Sequence, residues 1–531
     1  MGPNTNPSIT ISLNFGLLTR KISFVLLCIF MSVGTQAQHE VIYQVFQRSF
    51  FDSNADGHGD LKGIQQKLDY LQDLGITSIL LTPLYQSEFY HNYFAADFEK
   101  IDDEYGSMQE YLDLVGEVHK RGMKIYQDVE MQYVTHEHPW FMDSYKNPNS
   151  RFDKYIYYMD DANATPWWFY NIREFTTYNN IKQQIAVVNL HHPPVRQYTR
   201  DLLAFWVDPN KDGNFDDGVD GFRLDHMMDD LDNQNRLNSL FKNFWTPILT
   251  DLKKIHPSLT IIAEQANWFS LGHEYFYEAM VDRVFAFGLS WAIETFDKAK
   301  LMAAADSILT RNPAEKEQIV FIENHDMRRM ASVKDINTGK LKVAATLNLL
   351  LGGVPLIYYG QEIGMKGRQM KGATDGNDIP IREAFDWYRT TEGKGISLWY
   401  RNSGPWWDNS NVKPNDGISL EEQRNDDSSL WNHYKRIIAL RNTHDALGNG
   451  KYQTVMNQNN NVFTFRRSTP AEDIVVAVNL SGQVQRAILT FPLDAKFSAA
   501  KSLVNSEVKN LIESAFAIQL QPYGVQVFKL N

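Results

Sequence analysis

Two hydrophobic rhythms alternate along the chain. Val41-Ile-Tyr-Gln-Val-Phe46 is a β-rich run that ends in a polar Gly/Asp loop. Leu61, Ile64, Leu68, Leu71 and Leu74 then fall on one helical face, with Asp60 placed to cap it. Ser78-Ile-Leu-Leu-Thr82 is a continuous apolar run, as expected of a strand buried on both faces. Met108, Leu112, Val115 and Val118 form the next helical stripe, and Met123-Lys-Ile-Tyr-Gln-Asp128 is strand-like again. After an interruption the rhythm resumes, with strands expected at Val219–Leu224, Thr260–Ala263, Val281–Phe287, Ile319–Ile322 and Pro355–Tyr359.

Repeated strand–helix units over about 400 residues predict a (β/α)₈ barrel rather than a doubly wound sheet. The break at 131–186, rich in Trp, Tyr, Asn and Pro, reads as a small domain inserted after the third strand. The barrel is thus expected over 38–130 and 187–446. A long polar stretch, 362–427, precedes a last amphipathic helix carrying Leu430, Tyr434, Ile437, Ile438 and Leu440. From 447 to 531 short alternating runs such as Ile474-Val-Val-Ala-Val-Asn predict an antiparallel β domain.

Composition narrows the function. A net charge of -12 argues against nucleic acid as a partner, since phosphate backbones call for clustered Lys and Arg. Aromatic residues make up 13%, which suits either a sugar-binding cleft or an aromatic core. Arg20-Lys21, the apolar run Ile22–Val33 and Thr35-Gln36-Ala37 read as an export signal over residues 1–37. Its apolar run is too short to span a bilayer comfortably, so the mature chain is expected without a stable membrane anchor, in a periplasmic or extracellular location. The single cysteine, Cys28, lies inside that run, so the mature chain would hold no disulfide and no Cys-ligated metal.

Chemistry in such a barrel belongs at the carboxyl ends of the strands. Three acids are expected there. Asp225 ends Gly221-Phe-Arg-Leu-Asp, with Arg223 two residues earlier on the same strand face; Glu264 ends Thr260-Ile-Ile-Ala-Glu; Asp326 follows Phe321-Ile-Glu-Asn-His. Glycoside hydrolysis needs one carboxylate to attack or activate water and one carboxylic acid to protonate the leaving oxygen, about 5–5.5 Å apart in a retaining enzyme. An adjacent Arg is expected to keep the nucleophile ionised, while burial near a second acid raises the proton donor.

These motifs, with Gly59-Asp-Leu-Lys-Gly-Ile64, Tyr90-His-Asn-Tyr-Phe94, Asn324-His-Asp326 and Gly352-Gly-Val-Pro-Leu-Ile-Tyr-Tyr-Gly-Gln-Glu362, stand in an order that resembles the α-amylase family, glycoside hydrolase family 13. The resemblance runs from about residue 40 to the C-terminus. It implies Asp225 as nucleophile, Glu264 as general acid/base and Asp326 as transition-state stabiliser. It also implies Arg223 and His325 as subsite residues, Tyr93 as the ring stacking on the reacting glucose and His91 as a hydroxyl contact. The β domain would be the family's C-terminal β-sandwich. Departures are clear. Gln132 and Tyr133 stand where the family usually has Asn and His, Val187 replaces an Asp, and Met228-Asp229 replaces Lys-His after the nucleophile. The interdomain calcium site of ordinary α-amylases is therefore expected to be absent, and Tyr133 is expected at the rim of the reacting-sugar subsite.

The loop Asp52-Ser-Asn54-Ala-Asp56-Gly57-His58-Gly59-Asp60 puts hard donors at alternate positions, a pattern for structural Ca²⁺ or Mg²⁺, although an Asx-rich turn reads the same way. Asp52, Asn54, Asp56, His58 and Asp60 are the candidate ligands. Asp208-Pro-Asn210-Lys-Asp212-Gly213 has a weaker version of the pattern. Trp268 is a candidate for the leaving-group side, Trp167-Trp168 for a sugar platform or plain core, and His191-His192 for surface. The leading reading is hydrolysis of α-glucosidic bonds in α-glucans or oligosaccharides. The alternatives are a transglycosylase using the same covalent intermediate and a non-catalytic glycan-binding homologue, although such homologues typically lose one of the three acids.

Overall fold

The computed structural model describes residues 39–492 and 497–531. The expected export segment lies outside the described residues. Eight parallel strands close a barrel: β1 (Ile42–Val45), β2 (Ser78–Leu81), β3 (Lys124–Val129), β4 (Gly221–Met227), β5 (Thr260–Gln265), β6 (Arg283–Phe285), β7 (Glu317–Val320) and β8 (Val354–Tyr358). Each pairs with its sequence neighbours, and β1 returns to β8 with Ile42 opposite Leu356. Asp60 caps the first helical segment by accepting from Gly63 N, as its position predicted.

Alternation along the strands sorts side chains into two cores. Val41, Tyr43, Val45, Ile79, Leu81 and Ile125 face the helices. Ile42, Leu80, Tyr126, Ile262, Phe285, Ile319 and Leu356 fill the barrel interior. Burying each such side chain contributes roughly 1.5–3 kcal/mol. The floor is polar but satisfied: Glu40 accepts from Tyr126 Oη (2.6 Å) and Ser78 Oγ (2.8 Å) and pairs with Arg283 Nη2 at 2.7 Å.

Between β3 and β4 the chain leaves the barrel, and the short strand Tyr133–Thr135 pairs with Ile185–Val187 at the base of the excursion. After helix Leu430–Thr443, eight further strands follow: β9 (Lys451–Thr454), β10 (Val462–Ser468), β11 (Asp473–Asn479), β12 (Gln485–Thr490), β13 (Ala499–Ser502), β14 (Val508–Asn510), β15 (Ala515–Leu520) and β16 (Val525–Leu530). They form a six-stranded antiparallel sheet, β9-β10-β11-β16-β13-β14, and an antiparallel β12–β15 pair packed on it through Leu489, Phe516, Ile518 and Phe528. A buried guanidinium clips this sheet to the barrel: Arg467 of β10 donates to the Leu350 carbonyl at 2.9 Å, beside Arg441 of the preceding helix, which donates to Leu349 (3.0 Å) and Gly353 (2.9 Å) within the barrel.

Gly221 begins β4 where no side chain fits. A Cβ there would stand 2.0 Å from the Thr260 carbonyl oxygen and 3.0 Å from the Tyr126 ring. Because the first obstacle is backbone, the cost falls on the spacing of β4 and β5, the two strands that end in Asp225 and Glu264. Gly221→Ala should therefore lose at least about 2 kcal/mol of stability in urea unfolding and lower turnover as well. Wild-type stability and rate in that variant would show that the two strands can part freely.

Candidate active site

The period-2 alternation that fills the barrel also builds its mouth. One step above Tyr126 the inward position is Asp128; above Gly221 come Arg223 and then Asp225; above Ile262 comes Glu264; above Ile42 comes Gln44. Arg223, 1% exposed, is shared by three carboxylates. Its Nη1 lies 2.9 Å from both oxygens of Asp128 and also contacts Asp225 Oδ1, while Nη2 meets Glu264 Oε2 at 2.8 Å. A guanidinium presents its donors in a fixed planar fork, so this one cation sets the positions of the acids around it.

The two reacting acids do not titrate as free carboxyls. Burial pushes Asp225 up to about 6 against the pull of Arg223, with Asp128 and Asp326 adding to the rise. Arg223 favours the charged form of Asp225, as expected of an adjacent guanidinium, while desolvation opposes it. Glu264 rises further, to about 7, through burial and then the charges of Asp225 and Asp326, again opposed by Arg223. The proton therefore rests on Glu264 while Asp225 is the first to ionise.

Asp326 completes the trio under different control. Burial opposes its charge, but His325, Arg382 and Arg223 outweigh that and hold it below the usual carboxylate range. Arg382 Nη2 lies 2.9 Å from Asp326 Oδ1, and His325 Nε2 lies 3.1 Å from Oδ2. Gln44 Nε2 donates to His325 Nδ1 at 3.0 Å, which leaves the ring proton on Nε2. Burial lowers that imidazole to about 3, so it is a neutral donor. Tyr93 stacks on it (5.2 Å, 9°), accepts from its Nε2 at 2.7 Å and donates to Asp128 at 2.7 Å. His91 lines the same cavity, its Nδ1 accepting from Tyr93 N at 3.2 Å.

The cavity holds about 490 Å³, and Tyr133 and Trp268 also line it. Tyr133 is 1% exposed, and its hydroxyl donates to Asp232 Oδ1 at 2.6 Å, so the sugar side receives ring face rather than a phenol group. Gln132 donates through Nε2 to the carbonyls of Asp225 (2.8 Å) and His226 (3.0 Å), and Val187 is buried in the core. Trp268 stacks on Phe287 at 4.6 Å. Trp167 is buried against Tyr157 and does not line the cavity, and His191 is exposed, its Nε2 2.8 Å from the Asn238 carbonyl.

The 52–60 loop lies apart from this cavity. Asp52 accepts from the backbone of Asn54, Ala55 and Gly57, and Asp60 accepts from Ser53 and Gly63. Its His58 ring sits 3.6 Å from both Asp56 and Glu104, drawn to those acids rather than turned in toward Asp52. Among the described residues, the three acid or imidazole groups whose ligand atoms lie within 4.8 Å of one another are Asp128, Asp225 and His325. Arg223 already supplies the cation there, so this trio is a catalytic cluster and not a metal cage.

Several cavity residues escaped the sequence reading. Glu130, two positions past Asp128, was available to the same alternation; it is buried, and burial with the Asp225 charge raises it well above the usual carboxylate range. His226 reaches the cavity through a register break in the β4–β5 pairing after Leu224 and a φ of 44°. Its ring is near Asp232 (3.5 Å) and Tyr170 Oη (3.3 Å). Asp375, Asp378 and Arg382 come from the irregular 362–427 stretch, where no periodicity marks a facing residue.

A protonated carboxyl and a second acid held by one guanidinium, at the carboxyl mouth of a (β/α)₈ barrel, define a glycosidase site. Comparison with known proteins gives the family. The model for the α-amylase catalytic domain matches residues 44–450, and the chain belongs to that family. It is 28% identical over 505 residues to alpha-amylase 3 of Dictyoglomus thermophilum, covering 93% of each chain. It is 28% identical over 515 residues to probable oligo-1,6-glucosidase 3 of Bacillus subtilis, covering 83% of this chain and 90% of that one. Among solved structures it is similar to the α-amylase from H. orenii, with a TM-score of 0.76, 25% identity and coverage of 93% and 100%.

The protonation states imply a narrow pH optimum. kcat/KM should rise as pH climbs through the region of Asp225, about 6, because the nucleophile must be ionised. It should fall as Glu264 loses its proton near about 7, because the leaving oxygen then lacks a donor. Glu264→Gln, assayed on a substrate with an activated leaving group, should lose the alkaline limb. An unchanged alkaline limb in that variant would assign it to another group.

Proposed function

We propose that this protein is a retaining glycosidase that hydrolyses α-glucosidic bonds in α-glucans or oligosaccharides through a covalent glycosyl-enzyme on Asp225. Asp225 attacks the anomeric carbon as Glu264 gives its proton to the departing glycosidic oxygen. Glu264, now a carboxylate, takes a proton from water, which attacks the same carbon and frees Asp225. The observation that carries this reading is the shared guanidinium. Asp225 and Glu264 meet the two terminal nitrogens of one Arg223, an arrangement that suits the close-set carboxyl pair of a retaining enzyme. Asp326, kept ionised by Arg382 and His325, takes up hydroxyl hydrogen bonds as the sugar ring flattens.

Two structural readings accompany it. The donor set of the 52–60 loop fits a hard cation: Asp52 and Asp60 are both buried, and burial first, with the charge of Asp52 adding to it, raises the Asp60 carboxyl. Asp52, Asn54, Asp56 and Asp60 would hold a Ca²⁺, which would supply structural cross-linking there and no catalytic step. The leader read at residues 1–37 would export the chain; among the described residues, no helix is long and apolar enough to cross a membrane.

Proton NMR of freshly released sugar should show the α-anomer first, whereas an initial β-anomer would overturn retention. Asp225→Asn and Glu264→Gln should each lose at least about 10²–10⁴-fold in turnover while keeping the wild-type melting temperature; near-wild-type rates would remove them from these roles. Chelation should lower the melting temperature and added Ca²⁺ restore it. A melt indifferent to both, in protein free of calcium by elemental analysis, would leave the loop an Asx turn.

A further inference from the structure

The reacting sugar has two neighbours in a chain, and the two ends of the cavity treat them differently. Glu264 marks the leaving-group side, where His226, Tyr170 and Trp268 form the lining. Beyond Asp326 the opposite end is lined by His91, Asp375, Asp378 and Arg382. A glucan cut internally would have to continue out of this second end, between the inserted segment and the 362–427 stretch.

That exit is crossed twice. Thr176 of the inserted segment forms a parallel β-bridge with Thr374. Behind it, Tyr178 packs edge-on against Tyr90 (5.6 Å), Trp399 (5.6 Å) and Trp406 (6.3 Å), and Tyr90 stacks on Trp399 at 4.8 Å. The wall is also anchored from inside, since Tyr90 Oη accepts from Arg382 Nη1 at 3.0 Å and donates to the Asp375 carbonyl at 3.3 Å. Just within the wall, both carboxyl oxygens of Asp375 are shielded from solvent, and backbone hydrogen bonds from Tyr178 and Gly376 favour its charged form, so Asp375 ties the inserted segment to the 362–427 stretch. His91, Asp378 and Arg382 are the other polar side chains that line the cavity at this end. The hydroxyl that a chain carries only at its non-reducing terminus is the group such a polar end can bind.

Resting on the glycosidase reading above, we infer that the enzyme is exo-acting: it admits a non-reducing chain end, holds the terminal hydroxyls on Asp378 and Arg382, and releases the terminal glucosyl unit. The wall makes a cleft into a pocket, and the polar end of the pocket recognises a terminus rather than a passing chain.

The test uses the full enzyme with p-nitrophenyl α-glucoside, maltoheptaose and β-cyclodextrin, an α-1,4 ring with no chain end. The expected result is release of nitrophenol, stepwise shortening of maltoheptaose by one unit, and β-cyclodextrin left intact. Opening of β-cyclodextrin, or internal fragments from the first turnovers on maltoheptaose, would overturn exo-action while leaving the glycosidase reading standing. No cleavage of any of the three would overturn both. Asp378→Ala should lower kcat/KM on p-nitrophenyl α-glucoside about ten- to a hundredfold; an unchanged value would remove Asp378 from terminus binding.

Discussion

Three acids at the mouth of this barrel are placed by reference to the buried guanidinium of Arg223. It has no solvent to screen it and meets Asp128, Asp225 and Glu264 at once. Three carboxylates around one cation leave excess negative charge in a buried site, and that imbalance has a chemical outcome. One acid must hold a proton, and it is Glu264, the acid raised furthest of the two that face the reacting carbon. The same charge arrangement thus sets one acid apart from the other in readiness to ionise. It also explains why Asp128, which touches no solvent, matters: by bonding both Arg223 and Tyr93 it transmits the position of the guanidinium to the ring that faces the sugar.

Around this centre the barrel contributes rigidity and the inserted segment contributes shape. Adjacent strands fix the heights of their residues up to Leu224 opposite Ala263, and the register break just beyond sets where Asp225 stands against Glu264. Tyr133 shows the other kind of control. Its hydroxyl is spent on Asp232, which fixes the ring as a wall and leaves His226 to offer the polar contact on that side.

Much of this was legible in the linear chain. Alternation predicted the buried strands, helical stripes predicted the covering layer, and the charged residues at strand ends stood out because a buried strand tolerates few of them. The same alternation would have marked Glu130 as an inward residue, but a second acid so close to Asp128 reads as an ordinary loop start. Asp375, Asp378 and Arg382 had no such signal. They lie in a long irregular stretch where side-chain direction follows from packing against distant aromatic rings and not from any local period.

The sequence by itself determined the barrel, its order of strands and the identities of the three acids, because period-2 burial and strand-end position are local properties of the chain. Tertiary structure decided the rest. The protonation of Glu264 depends on how deeply two strands bury it and on which cation lies between it and Asp225. The closed end of the pocket depends on Thr176 meeting Thr374 across nearly two hundred residues of chain. Such long-range electrostatics and contacts are set by where the folded backbone goes, and no window of sequence contains both partners.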